Sequence, residues 1–179
     1  MRQIMGSIEG EYRRYKALGE GAIEQLADGE LSQVGPSGGN SIATLVWHIS
    51  GNLTSRFTDF LQSDGEKPWR DREAEFLHRT VTRAELREKW EKGWTVLFRS
   101  LVELDDEGLH AVVKIRGVPL SVHGALHRSL AHTSYHVGQI VFLGKAFRGG
   151  EWKYLSIPPA GSAAYNVNPF AEKPPGPSR

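Results

Sequence analysis

A chain of 179 residues with 22 Lys+Arg against 21 Asp+Glu, 7 histidines and 39% hydrophobic residues has the composition of an ordinary globular protein. With no cysteine it can form no disulfide, thiolate metal site, cysteine nucleophile or CxxC redox pair. A formal charge of +1 and a pI near 8.0, with bases interleaved among acids, exclude nucleic acid or an anionic membrane as a partner demanded by charge.

At this length folding buries roughly 70% of the extended chain's surface, enough for a full core without disulfides. The apolar runs fall far short of the ~20 residues of a membrane span, and MRQIMGSIEGEYRRYK lacks the apolar stretch of a signal peptide. A soluble, cytoplasmic protein is expected, organised as one domain over residues 1–170 with a Pro-rich tail over residues 171–179.

Taken in chain order, Ile4, Ile8, Tyr12, Tyr15, Ala22, Ile23 and Leu26 recur at helical spacing and predict a first helix from Ile4 to about Leu31. The break VGPSGGN follows, and Asn40 or Ser41 caps a second helix through SIATLVWHISGNLTSRFTDFLQS. On that helix Ile42, Leu45, Val46, Ile49, Leu53, Phe57, Phe60 and Leu61 make one broad apolar face. His48, Asn52, Arg56 and Asp59 form a polar stripe along its flank, beside the core rather than opposite it. The charged segment DGEKPWRDREAEFLHR reads as an ordered loop or short helical turn between two long helices; DGEKPWRDR is its most motif-like stretch, but a solvated, salt-bridged connector shows the same charge alternation, so it takes no assigned role.

Thr82 caps a third helix carrying Leu86, Trp90, Trp94, Leu97, Phe98, Leu101 and Leu104. HAVVKIRGVPL, short and β-branched with Gly117 in its middle, reads as a small strand or hairpin. Ser121 opens a fourth helix that runs to Gly149 and Gly150. SIPPAGSAAYNVNPF is too rich in Pro and Gly for a regular element, and EKPPGPSR reads as a frayed tail. The fold class is all-α: four helices with a small extended or hairpin insertion between the third and fourth.

Four histidines lie on the fourth helix as two i, i+4 pairs, His123/His127 and His132/His136, a spacing that points both imidazoles of a pair the same way. On a helical wheel the pairs face nearly opposite directions, and His132/His136 lie nearer the apolar face. Two imidazoles hold a divalent ion poorly, so a third ligand is required, and His48 on its core-flanking stripe is the candidate. A hydrogen-bonded histidine packed between helices satisfies the same pattern, and spacing alone does not choose between them.

WHISGN on the second helix and HTSYHVGQIVFLGK on the fourth resemble the DinB/YfiT-like superfamily of metal-dependent four-helix-bundle proteins. SRFTDFLQSDGEKPWRDREAEF and SIPPAGSAAYN resemble a subgroup labelled a domain of unknown function. The resemblance implies an up-down four-helix bundle, a metal held by three histidines that map to His48, His132 and His136, and a homodimer. In some relatives it also implies transfer of a low-molecular-weight thiol such as bacillithiol or mycothiol, and for the subgroup no activity is implied.

A divalent ion on three imidazoles, with zinc or nickel expected and copper or iron also suited, leaves positions for water or an exogenous thiol. Because the chain has no cysteine, a sulfur nucleophile has to come from outside. HTSYH lacks the glutamate of HExxH, which disfavours a zinc peptidase. Asn52, Asp59 and Gln139 are candidate partners of the ligands or of substrate, and Arg56 is expected to pair with Asp59 at i, i+3. Tyr135 falls off the favoured face, and the tryptophans read as packing. The leading expectation is a metal-dependent transferase joining a small thiol to an electrophilic small molecule; the alternatives are a metal-dependent hydrolase and a non-enzymatic, stress-linked structural dimer.

Overall fold

The computed structural model of the chain describes residues 2–35 and 38–169, so the expected tail and Phe170 lie outside the described residues. Four long helices dominate: α1 (Gln3–Glu24), α3 (Ile42–Phe57), α5 (Arg83–Val102) and α6 (Val122–Arg148). Shorter helices α2 (Asp28–Ser32), α4 (Arg72–Glu75) and α7 (Ser162–Val167) lie between or beyond them. Strands β1 (Val112–Ile115) and β2 (Val118–Ser121) pair antiparallel, Val112 opposite Ser121 and Ile115 opposite Val118, in the hairpin expected before α6. Its two-residue turn, Arg116-Gly117, has both φ angles positive (57° and 74°), as a type I′ turn requires.

Local chemistry sets the helix starts. The hydroxyls of Ser41, Thr82 and Ser121 accept hydrogen bonds from the backbone N–H of Thr44, Glu85 and Gly124, satisfying donors that the first turn leaves open. Glu85 returns the bond to the Thr82 N–H and completes a capping box. The apolar faces then pack, α3 along α5 and α1 along α6, with α3 also meeting α6. Met5, Tyr12, Leu45, Leu53, Trp94, Leu101 and Leu126 are fully buried in the core so formed. The Tyr12 hydroxyl donates to the Leu126 carbonyl at 3.0 Å, and its ring meets Trp94 and Phe57 edge-on.

Three expectations need correction. The first helix stops at Glu24, and after a short break residues 28–32 form the separate α2. The second helix ends at Phe57 instead of running toward Ser63: the Thr58 hydroxyl donates to the Thr54 carbonyl, and Asp59 turns the chain with a φ of 48°. Leu61 therefore leaves the apolar face and is 47% exposed. The segment SIPPAGSAAYNVNPF, expected to be irregular, is so through Gly161, but Ser162–Val167 form α7, because Ala163 and Ala164 lie beyond the prolines. No helix among the described residues is long and apolar enough to cross a membrane.

Candidate metal centre

His48 sits in the middle of α3, on the flank that faces α6, and is 3% exposed. One helical turn separates His132 from His136 on α6, which sends both rings toward it. One ligand atom from each of the three lies within 4.8 Å of the other two. The Nε2 atoms of His48 and His132 are 3.1 Å apart. Metal–nitrogen bonds of ~2.0–2.1 Å hold their nitrogens about 2.9 Å apart at a right angle and about 3.3 Å apart at the tetrahedral angle, and the observed separation falls between the two. The donor set and spacing fit a divalent ion.

What surrounds the rings settles which nitrogens face inward. His48 Nδ1 lies 2.8 Å from Glu75 Oε2, and a carboxylate only accepts, so His48 carries its proton on Nδ1 and presents a bare Nε2. His136 Nδ1 donates to Gln139 Oε1 at 2.9 Å with the same result. His132 Nδ1 is buried with no hydrogen-bond partner among the described residues. Without a cation, the His132 Nε2–H would have to donate to His48, leaving a buried lone pair on Nδ1 with no donor.

Burial, followed by the charges of His136, His48, Arg70 and Arg56, lowers the His132 pKa to about 3. Burial also lowers that of His136, against the opposing effect of its hydrogen bond to Gln139. Both rings are therefore neutral near pH 7, the state a metal requires.

Glu75 is the part that sequence reasoning missed. It is carried by the four-residue α4, which Asp71 caps by accepting from the Ala74 N–H. Arg70 grips the same carboxylate with Nε at 2.8 Å and Nη2 at 2.9 Å, both side chains being nearly inaccessible (3% and 8% exposed). Burial would raise the Glu75 pKa, but hydrogen bonds from His48 and Arg70 and the Arg70 charge outweigh it and hold the carboxyl below its ordinary range. The carboxylate reaches His48 only because residue 51 is glycine: a Cβ there would lie 2.1 Å from Glu75 Oε1. Phe76 closes the other side, its ring 4.6 Å from that of His48.

The segment DGEKPWRDREAEFLHR is the ordered loop with a short helical turn that its sequence predicts, and it is packed, not merely solvated. Lys67, 7% exposed, donates through Nζ to Ser63 and to the Asp64 carbonyl. The Gly65 N–H donates to the Lys114 carbonyl at 2.7 Å, fastening the loop to β1. Asp64 accepts from the N–H groups of Arg116 and Gly117 at 2.8 and 2.7 Å, pinning the hairpin turn. Alternating charge cannot tell this network from a hydrated one; only the motif-like character of DGEKPWRDR marked the segment, and that stretch stops short of Glu75.

His48 and His132 open onto a cavity of about 160 Å³ between α3, α6 and the hairpin. Asn52 lines it without bonding a histidine. Asp59 does not join: past the end of α3 it lines a separate depression with Thr58, Leu61 and Arg99. For the same reason Arg56 pairs with Glu66 at 3.1 Å and not with Asp59. His123 and His127 are exposed with their rings 4.2 Å apart, and Tyr135 is 63% exposed.

Three inward-facing imidazoles from two helices, oriented by a carboxylate and an amide, define a site able to hold a metal ion. Residues 2–161 match the family described as "Protein of unknown function (DUF1572)", and the chain belongs to that family. No curated protein and no solved structure gives a significant match.

Proposed function

We propose that the protein is a divalent-metal-dependent transferase of the DinB/YfiT-like superfamily that joins a low-molecular-weight thiol to an electrophilic small molecule. The four long helices would form that superfamily's up-down bundle, with His48, His132 and His136 as ligands and zinc or nickel as the ion. The observation that carries the reading is that two of the three histidines, His48 and His132, border a cavity, which favours an open site over one that merely fastens helices.

A divalent ion held there would act as a Lewis acid, lowering the pKa of a bound thiol to give a nucleophile at neutral pH. The chain's own groups position the reactants. Glu75 holds the His48 ring and strengthens it as a donor, Gln139 does the same for His136, and Phe57, Phe60 and Ile115 wall the cavity against water. Among the described residues no Asp or Glu lines the cavity to serve as a general base for water, which favours a thiol over hydrolysis. Tyr135 and Phe142, 63% and 70% exposed on α6, offer apolar surface for the homodimer we include in this proposal.

The test is cobalt substitution of tag-free protein followed by titration with the common cellular thiols. A thiol-dependent charge-transfer band and shifted d–d absorption, both lost in His132→Ala, are expected. Spectra unchanged by every thiol would refute the transferase.

A further inference from the structure

The cavity beside the triad has a composition that metal binding does not require. Arg56, Arg70, Arg72, Arg116 and Arg128 all line it, and among the described residues no carboxylate does. Nearby acids are engaged elsewhere. Glu66 is shared between Arg56 at 3.1 Å and Arg116 at 3.0 Å, Glu75 is held by Arg70 and His48, and Asp64 accepts backbone N–H groups. Glu73 meets Arg72 on the exposed side of α4, at 86% exposure. Arg128 has no acidic partner among the described residues, and Asn52, 9% exposed, also lines the cavity.

Arg56 and Arg116 share the single carboxylate of Glu66, Arg70 shares Glu75 with His48 and Arg128 has no acid among the described residues, so the guanidinium groups still repel one another across the cavity. Burial lowers the Arg56 pKa, and the charges of Arg70 and Arg116 push in the same direction against the pull of Glu66. A folded chain that gathers such charge around a cavity gains most when an anion enters, because planar guanidinium forks match the paired oxygens of a carboxylate or phosphate.

We infer that this cavity is an oxyanion pocket, which binds the carboxylate or phosphate group of the small molecule handled by the neighbouring triad. The inference rests on the proposed function only in naming the bound molecule as the reactant; the pocket itself stands on the arginines. Arg72, Arg116 and Arg128 are exposed and meet the anion first. Arg56 and the remaining Arg70 nitrogen lie deeper, where the Asn52 amide can donate to the same group. Arg70 thereby serves both halves of the site, gripping Glu75 on one side and facing the cavity on the other. The thiol or its electrophilic partner is thus an acid, and a neutral molecule of the same size is discriminated against because it leaves these charges unanswered.

The experiment is calorimetric titration of succinate and of inorganic phosphate, at constant ionic strength in chloride, into metal-free and zinc-loaded protein. Wild type is compared with Arg128→Gln and Arg72→Gln, and zinc itself is titrated separately into each. Saturable binding of at least one probe is expected, weakened roughly three- to tenfold by each substitution, with zinc affinity unchanged. The stronger probe tells a carboxylate from a phosphate pocket.

Absence of saturable binding to either form overturns the inference, with the metal centre intact if zinc still binds. Binding that neither substitution weakens also overturns it, since an anion held by the metal alone would behave in that way. Anion binding that persists where zinc fails to bind supports the pocket and removes the metal reading.

Discussion

Replacing Gly51 with alanine puts a methyl group where the Glu75 carboxylate now sits, 2.1 Å from Oε1 and 2.7 Å from Cδ. Both distances are far inside van der Waals contact, and the carboxylate has little freedom to retreat because Arg70 and His48 hold it at 2.8–2.9 Å. The carboxylate must leave, so His48 loses the partner that fixes its tautomer. Losing such a partner costs about 10- to 100-fold in metal affinity, or roughly 1.4–2.7 kcal/mol. The metal-free fold also suffers. Breaking a buried pair costs about 3–5 kcal/mol, offset by the ~1 kcal/mol that alanine gains over glycine inside a helix. Competition titration against a chromophoric chelator measures the first effect and urea unfolding of the metal-free protein the second. Glu75→Gln is expected to weaken metal binding in the same direction without the clash. A Gly51→Ala protein whose metal affinity stays within about twofold of wild type would refute the argument that Glu75 orients His48.

Further outcomes follow from the same geometry. Elemental analysis of tag-free protein should find near-stoichiometric metal that falls to trace levels in both His48→Ala and His132→Ala; metal retained in either breaks the triad. Chelation should lower Tm and readdition of zinc restore it, since a ligand that binds only the folded state stabilises it; an unchanged Tm would show that no metal couples to folding. The metal-free protein should lose stability as pH falls below 6.5, because the unfolded chain takes up a proton that His132 refuses until about pH 3. Glu75, held below its ordinary pKa, adds a further loss in the carboxylate range, so a urea midpoint that stays flat from pH 7 to 4.5 would contradict the His132 assignment and one that stays flat from there down to pH 3 that of Glu75. Trp94→Ala, at a site with no exposure between Tyr12 and Trp90, should cost about 3–5 kcal/mol in the same unfolding assay, and a cost under 1 kcal/mol would show that the core is misjudged.

The long helices were legible because their signals are local. Ser41, Thr82 and Ser121 cap through atoms three residues away, and the apolar spacing of α3 and α5 marks the faces that do become buried. The helix end at Phe57 was not legible. FTDFLQS continues the apolar period, and only the packing of the next loop favours the turn at Asp59. Misplacing that end by a few residues moved Asp59 onto the histidine flank and gave Arg56 the wrong partner.

By itself the sequence determined that the chain has no sulfur nucleophile, that four long amphipathic helices carry it, and that His132 and His136 share one side of a helix. Those are properties of composition and of contacts within a few residues. That His48 stands 3.1 Å from His132, 84 positions away, was decided by the packing of α3 against α6. That a glutamate from a charged connector is the one to hold it was decided by α4 docking onto Gly51. Five arginines from α3, the loop, α4, the hairpin and α6 likewise share a cavity only once those elements are assembled. Sequence periodicity reports which face of an element is buried; which buried faces meet is set by the whole chain's packing, and the chemistry lies where they meet.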